Sequence, residues 1–520
     1  MSHTTITFLI LGAVVVVFVL DRLPIAIVAI GTALSLWATG VLSLSQALAG
    51  FGDPTVVFIA SLFVVSEGLE AAGVTAWVGQ QLFARVGASR TRLVVLTMLL
   101  VALLTAVITV NGSVAALVPV AVLLCVRLRR SPSQLLLPVA FGAHAGSLLT
   151  LTGTPVNVIV SGAAADAGVG RFGFFEFALV GIPLVVGTIS IVLLFSERLL
   201  PHRSGRAIAR DFSDHARTLV EQYELGGAGD ELFTHRSGVA EVVIPPRSDL
   251  VGETVFPGMV TESGDLVVLA VQRSGQDLAG ENVLAVGDTL LLEGSWGALD
   301  EHLEDPDVLV VDRPDVVRRQ TVPLGPGAKR AIVALAGMVV LLATGAVPPA
   351  VAGLLAAGAL VLLGVLTVEE AYRGISWTTV ILVGGMISLS TAMAETGAAA
   401  TLADGLVDVV GDAGPYALLL GIFLLTAALG QLISNMATAL IVIPVAISAA
   451  KDMDVSAKPV LMAVAVSAAA AFLTPVATPA NLMVMEPGGY RFGDYWKLGL
   501  PLLALFGVVA VLLVPVFWRF

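Results

Sequence analysis

The chain is dominated by apolar runs long enough to cross a lipid bilayer. They lie at about 5–20, 24–40, 54–73, 91–126, 134–166 and 174–198, and again at about 331–346, 348–366, 377–397, 414–450, 458–485 and 497–516. A spanning helix takes roughly 20 apolar residues, and lipid offers the backbone no hydrogen-bond partners, so such runs fold as helices. A transmembrane β-barrel would show short segments of alternating polarity instead. Only 13% of the 520 residues are charged, against about 25% in soluble domains. The fold class is therefore an α-helical polytopic membrane protein in a lipid bilayer. The N-terminal ITFLILGAVVVVFVL has neither a clear basic leader nor a small-residue cleavage site, and reads as a retained first helix. The single cysteine, Cys125, excludes an internal disulfide and a thiolate metal site, and its apolar run marks it as a small core residue.

The runs fall into two halves, 1–200 and 331–520, separated by a polar stretch. That stretch, 201–330, carries 12 Lys and Arg against 22 Asp and Glu, leaving 15 against 17 for all other residues. The acidity thus belongs to the insert and says little about the membrane part. The halves are internally related. A constant offset of 324 places Gly73 on Gly397, Asn111 on Asn435, Thr154 on Thr478, Pro155 on Pro479 and Asn157 on Asn481, and RFGFFEFALVGIP (171–183) resembles RFGDYWKLGLP (491–501) at a slightly different shift. Repeated halves with polar interruptions in matching places mark secondary transporters.

Two of the runs are long enough to enter and return. Residues 91–126 are interrupted at Val110-Asn111-Gly112-Ser113 and 414–450 at Ser434-Asn435-Met436-Ala437-Thr438. The first is flanked by Arg90 and Arg92 at one end and by Arg127, Arg129 and Arg130 at the other, which puts both ends on the cytoplasmic side. The second lacks such flanks, so two inverted repeats are expected, each with a re-entrant hairpin and a broken helix. In the broken helices, T-P-x-N occurs at 154–157 and 478–481. Threonine is a good N-cap and proline is favoured at the first helical position. Thr154-Pro155 and Thr478-Pro479 therefore read as half-helix starts, with Asn111 and Asn435 expected to start the returning hairpin arms. Four N-termini with unpaired N–H groups make an anion site without a Lys or Arg. The exposed carbonyls and the Asn and hydroxyl oxygens suit Na⁺. Any one motif alone reads as helix packing through small polar residues; four in register read as a site. His144 is an ionisable residue at membrane depth, a default functional suspect. Its repeat counterpart is Ala468, so it stands outside the symmetric set, with a proton or gating role and a hydrogen-bonded packing role both open. Glu67, Glu70 and Glu395 lie near helix ends and read as structural or interfacial.

These motifs resemble the divalent anion/sodium symporter family of the ion transporter superfamily over roughly 390 residues in the two halves. By that resemblance Asn111 and Gly153 border one sodium site, and Asn435 and Ala477 the other, with Asn157 and Asn481 close by. The resemblance turns Thr154, Pro155, Thr478 and Pro479 to the substrate, and the polar residues of the hairpin tips, Asn111, Ser113, Ser434, Asn435 and Thr438, are expected to contact it as well. It implies a homodimer moving a transport domain like an elevator, with a small divalent anion such as sulfate or a C4-dicarboxylate as substrate. The first tip keeps only the asparagine of the family's Ser-Asn-Thr pattern, which leaves coupling to one Na⁺ or to H⁺ open.

The insert reads as a linker (201–235), a small α+β domain (236–312) and a second linker (313–330). EVVIPPRSDLVGETV, GDLVVLAVQRSG and VGDTLLLEGSW alternate β-rich runs with turn signals, and LDEHLEDPDVL has helical character. The pattern PxSxLVGxT…GDxLLLEG resembles the RCK-C (TrkA-C) regulatory domain, which implies a cytoplasmic module regulated by an unidentified small ligand; a purely structural or dimerising module is the alternative. Paired membrane aspartates and HExxH motifs are missing from the sequence, as is a Walker motif. An enzyme is therefore not expected, nor is any enzymatic cofactor, and no feature points to nucleic acid. The sequence implies a cation-coupled carrier, with an uncoupled or H⁺-coupled oxyanion permease as the alternative.

Overall fold

The computed structural model describes residues 1–20, 22–74, 77, 89–128, 130–203, 237–278, 280–303, 306–311, 327–410 and 414–520. The chain divides into two compact units, one of Met1–Ala71, Val78–Ile208 and Lys329–Phe520, the other of Ala72–Trp77 and Ala209–Ala328. The expected linkers lie outside the described residues apart from 201–203 and 327–330.

The first unit is helical. Among the described residues six helices are long and apolar enough to cross a membrane: His3–Leu20, Leu44–Ala71, Ala178–Leu199, Trp377–Glu395, Asn435–Asp452 and Phe492–Phe517. Their outward positions stay apolar, as at Leu194, 69% exposed, a surface suited to lipid tails. The two halves interlock. Helix Ile25–Ala38 packs along Trp377–Glu395, and Pro54–Ala71 along Pro349–Leu362. Glycine makes both crossings possible. A Cβ on Gly385 would lie 2.6 Å from the Ala29 carbonyl oxygen, and one on Gly353 2.0 Å from Ser61 Oγ. Close backbone approach of this kind holds helices together where lipid removes the hydrophobic drive.

Inside this frame each half carries a hairpin followed by a broken helix. The first hairpin is Arg90–Thr105 with Val110–Arg127, the second Pro415–Gly430 with Asn435–Asp452. The first broken helix is Leu136–Gly146 and Pro155–Asp166, the second Ala457–Ala468 and Pro479–Met485. The hairpin turns fall slightly earlier than the motifs indicate, at 106–109 and 431–434, so that VNGS and NMAT already lie in the returning helices. The reason is capping. Ser434 Oγ accepts the Ala437 N–H at 3.3 Å, and Thr109 Oγ1 accepts the Gly112 N–H at 3.3 Å. The caps are therefore Thr109 and Ser434, not Asn111 and Asn435.

The second unit contains a five-stranded antiparallel sheet in the order β4-β3-β6-β1-β7 and a short β2–β5 pair. The strands are β1 (Ser237–Val243), β2 (Thr254–Val255), β3 (Leu266–Arg273), β4 (Gln276–Asp277), β5 (Asn282–Val283), β6 (Thr289–Ser295) and β7 (Leu309–Val310). Helix Trp296–His302, capped by Ser295, packs Trp296 and Leu299 into the core. Gly238 on β1 leaves room for the indole, since a Cβ there would lie 2.3 Å from the Trp296 ring. The helix expected over LDEHLEDPDVL ends earlier, at His302. In the GDxLLLEG signature, Gly287 takes φ +86° and turns the chain into β6. Asp288 is 1% exposed and accepts both Arg273 Nε and Nη2 at 2.7 Å, together with the Ala285 N–H at 2.8 Å.

The Arg273 guanidinium holds the Asp288 carboxyl below its usual range. A carboxylate with a depressed folded-state value stabilises fully above its unfolded value of about 3.9, and that contribution fades as pH falls through the folded value. Asp288→Asn should loosen β3 and β6 by about 1–3 kcal/mol at pH 7, read as faster amide exchange of those strands in the full chain. The difference from wild type should shrink below about pH 4; a pH-independent difference would mean that the ion pair is not its source.

Candidate functional site at the two helix breaks

Both breaks are built as T-P-x-N predicts. Thr154 (φ −153°, ψ 146°) and Thr478 (φ −146°, ψ 150°) are extended N-caps, each followed by proline at the first helical position. Thr154 Oγ1 accepts the Val156 N–H at 3.4 Å, and Thr478 Oγ1 accepts the Asn481 N–H at 3.3 Å. The asparagine of the motif closes the break. Asn157 Nδ2 donates to the carbonyls of Ser147 (2.8 Å) and Thr150 (2.9 Å), and Asn481 Nδ2 to those of Ala471 (2.7 Å) and Thr474 (3.0 Å). The four carbonyls are related by the same offset of 324 as the asparagines themselves. Breaking a helix at membrane depth frees carbonyls that lipid cannot satisfy. One amide side chain, with its two hydrogens, takes up two of them.

Each hairpin tip is tied to the break of its own repeat. Thr150 Oγ1 donates to the Ala106 carbonyl at the first tip. At the second, Gln431 Nε2 donates to the Ala470 carbonyl (3.2 Å), its Oε1 accepts the Leu473 N–H (3.0 Å), and Thr474 Oγ1 donates to the Gln431 carbonyl (3.4 Å). This joins the hairpin that carries Asn111 to the break that carries Gly153, and the hairpin that carries Asn435 to the break that carries Ala477. Between repeats the packing crosses over. Half-helix Pro155–Asp166 lies against Asn435–Asp452, and Pro479–Met485 against Val110–Arg127.

The remaining site residues separate the two repeats. At the second tip, Asn435 Oδ1 and Thr438 Oγ1 are buried with no hydrogen-bond partner among the described residues. At the first tip Asn111 is exposed, and Ser113, buried, donates to the Thr109 carbonyl at 3.0 Å. The counterpart of Thr438 is Val114, which has no oxygen to offer. Gly153 is buried and admits no side chain, because a Cβ would lie 2.3 Å from the Ser147 carbonyl oxygen. Ala477 is buried, Pro155 half-buried and Pro479 exposed. His144 is buried, 2% exposed. Its Nε2 lies 3.2 Å from Thr478 Oγ1 and 3.3 Å from Asn481 Oδ1, and its ring stands edge-on to Phe472. At Asn157, where the counterpart of His144 is Ala468, the buried Oδ1 has no partner among the described residues. Sequence reasoning missed Thr109, Thr150, Thr474 and Gln431. The threonine pair was visible at the offset of 324; the cap at Thr109 was hidden because it sits one residue earlier than Ser434 does in its repeat.

Paired hairpins and clamped, capped helix breaks within an apolar helical frame define a membrane transport protein. Comparison with known proteins places it within that class. The CitMHS family model, described as citrate transporter, matches residues 15–459 and also 414–520, and the chain belongs to that family. This bears out the expected membership of the ion transporter superfamily and a multi-pass membrane protein. The uncharacterized transporter YfbS of Escherichia coli K12 is 30% identical over 98% of both chains. Sodium/sulfate cotransporter 2 of Chlamydomonas reinhardtii is 26% identical over 54% of this chain and 33% of its own length. Among solved structures, the Alcanivorax borkumensis YdaH transporter matches in fold with a TM-score of 0.50 at 15% identity, over 91% of this chain and 88% of that one.

The clamps should be essential for folding. Asn157→Asp and Asn481→Asp keep the shape but replace two donors by an acceptor facing two carbonyls. At roughly 1–3 kcal/mol for each buried group left unpaired, either variant should lose about 2–6 kcal/mol. Thermal unfolding in detergent reads this, and wild-type melting in both variants would show that the carbonyls find other partners.

Proposed function

We propose that the protein is a cation-coupled secondary carrier, a symporter that uses Na⁺ to move a small divalent anion such as sulfate or a C4-dicarboxylate. The observation that carries the reading is the pair of unpartnered buried oxygens at the second hairpin tip, Asn435 Oδ1 and Thr438 Oγ1. A buried polar atom left unpaired calls for an ion or water, and an amide and a hydroxyl oxygen are ligands for a hard cation. Helices Val110–Arg127, Asn435–Asp452 and Pro155–Asp166 contribute N-terminal N–H groups of the kind that hold anions. A cation beside them offsets the charge of the anion, and that mutual dependence is the physical content of symport. The similarity to a sodium/sulfate cotransporter supports the same choice of ion and substrate.

In this reading Asn435, Thr438, Ala477 and Asn481 surround the Na⁺ of the second repeat. Asn111, Gly153 and Asn157 surround a weaker counterpart, where Val114 replaces a hydroxyl. Substrate contacts come from Thr154, Pro155, Thr478 and Pro479, with Ser113 and Ser434 fixing the tips. The protein works as a homodimer with an elevator-type movement, the repeats are inverted in the membrane, and 201–330 is cytoplasmic. The sheet unit is a ligand-regulated RCK-C-like module. The weakened first tip favours one alternative, an H⁺-coupled or uncoupled permease of the same superfamily.

Uptake of labelled sulfate, succinate and citrate into proteoliposomes tests this directly. One dianion should accumulate only under an inward Na⁺ gradient, and Asn435→Ala should abolish that accumulation while the protein still folds. Uptake that follows a proton gradient and ignores Na⁺ would move the assignment to the permease. Deleting 237–311 should leave transport intact and remove its regulation; a folded but inert truncation would make the sheet unit part of the transport cycle.

A further inference from the structure

The two breaks share one design but differ in what lies behind the threonine cap. The first half-helix, Pro155–Asp166, has 12 residues; the second, Pro479–Met485, has 7. Two turns align few peptide dipoles, so the second half-helix offers an anion little from its backbone. A contact at Thr478 must therefore come from the hydroxyl, and the direction in which that hydroxyl points decides whether the contact attracts an anion.

His144 fixes that direction. Both hydrogens of Asn481 Nδ2 are committed to the carbonyls of Ala471 and Thr474, which settles the amide orientation and leaves Oδ1 as an acceptor only. Nε2 of His144 lies 3.3 Å from that Oδ1. An unprotonated Nε2 would set one lone pair against another, so Nε2 carries the hydrogen. The same N–H reaches Thr478 Oγ1 at 3.2 Å, and the Asn481 backbone N–H reaches it at 3.3 Å. Thr478 Oγ1 thus accepts from two donors, and its own hydrogen has no acceptor among the described residues. We propose that His144 is a positioning residue that holds the Thr478 hydroxyl as a hydrogen-bond donor to the transported anion. The first repeat lacks this device, because Ala468 stands where a second histidine would. The imidazole is held in turn by Phe472, against which Phe141 also packs at 5.0 Å between ring centroids.

This rests on the reading of Thr478 as an anion contact, and its test separates the two. His144→Met keeps a side chain of similar size against Phe472 and removes the donor; His144→Gln keeps a donor. Sulfate, succinate and citrate are titrated against thermal unfolding of the purified full-length protein, and the KM and maximal rate of uptake are measured for the anion that binds. His144→Met should raise KM and the half-saturating anion concentration about tenfold, with the maximal rate close to wild type and the anion-free melting temperature lowered, because Asn481 Oδ1 loses its donor. His144→Gln should recover most of the affinity, which a packing role would not produce. Thr478→Val should weaken binding by a similar factor, and adding His144→Met to it should weaken it no further. If wild type binds an anion and His144→Met binds it equally well, or if Gln is no better than Met, the positioning role is overturned alone. If Met is not recovered folded, a Thr478→Val variant that binds as wild type overturns it. If wild type binds none of the three anions, the functional reading itself falls and takes this proposal with it.

Discussion

The donation of one asparagine amide to two freed carbonyls is the interaction on which the rest of the site depends. Lipid makes an interrupted helix prohibitive unless its backbone is satisfied from within. Asn157 and Asn481 do this with the same geometry in both halves. Only with the break closed can Thr154 and Thr478 cap new helices and leave polar groups facing inward. Each hairpin tip is then hydrogen-bonded to its own break, through Thr150 in one repeat and Gln431 and Thr474 in the other.

On this shared scaffold the two repeats have been filled differently. The second tip presents two unpaired buried oxygens where the first has a valine and an exposed asparagine. The second half-helix is shorter, and a histidine from the other repeat stands behind its cap. Pseudo-symmetry gives two equal frameworks, and the few atoms that break it make their polar linings different. The unpaired oxygens place the proposed cation mainly at the second tip.

The sheet unit follows separate rules. Its signature residues have structural jobs: Gly287 supplies a positive φ that turns the chain into β6, and Asp288 ties that turn to β3 through Arg273. A signature of this kind is legible because a left-handed turn and a buried carboxylate each admit few residue types.

Much of the membrane part was legible for a similar reason. Lipid restricts the chain to helices, so apolar runs of spanning length gave the class, and the constant offset of 324 gave the repeats. Thr-Pro located the half-helix starts to the residue, because capping and a missing N–H are local properties. The hairpin tips were placed a few residues late, since Asn111 and Asn435 looked like caps when Thr109 and Ser434 hold that position. What no local pattern carries is which atoms meet across the fold. Sequence alone determined where the two half-helices had to start. Only the tertiary structure decided that each asparagine would close its own break, and that His144 would reach across to Thr478 and Asn481. Those contacts span 334 and 337 residues, and they exist because the two broken helices pack face to face.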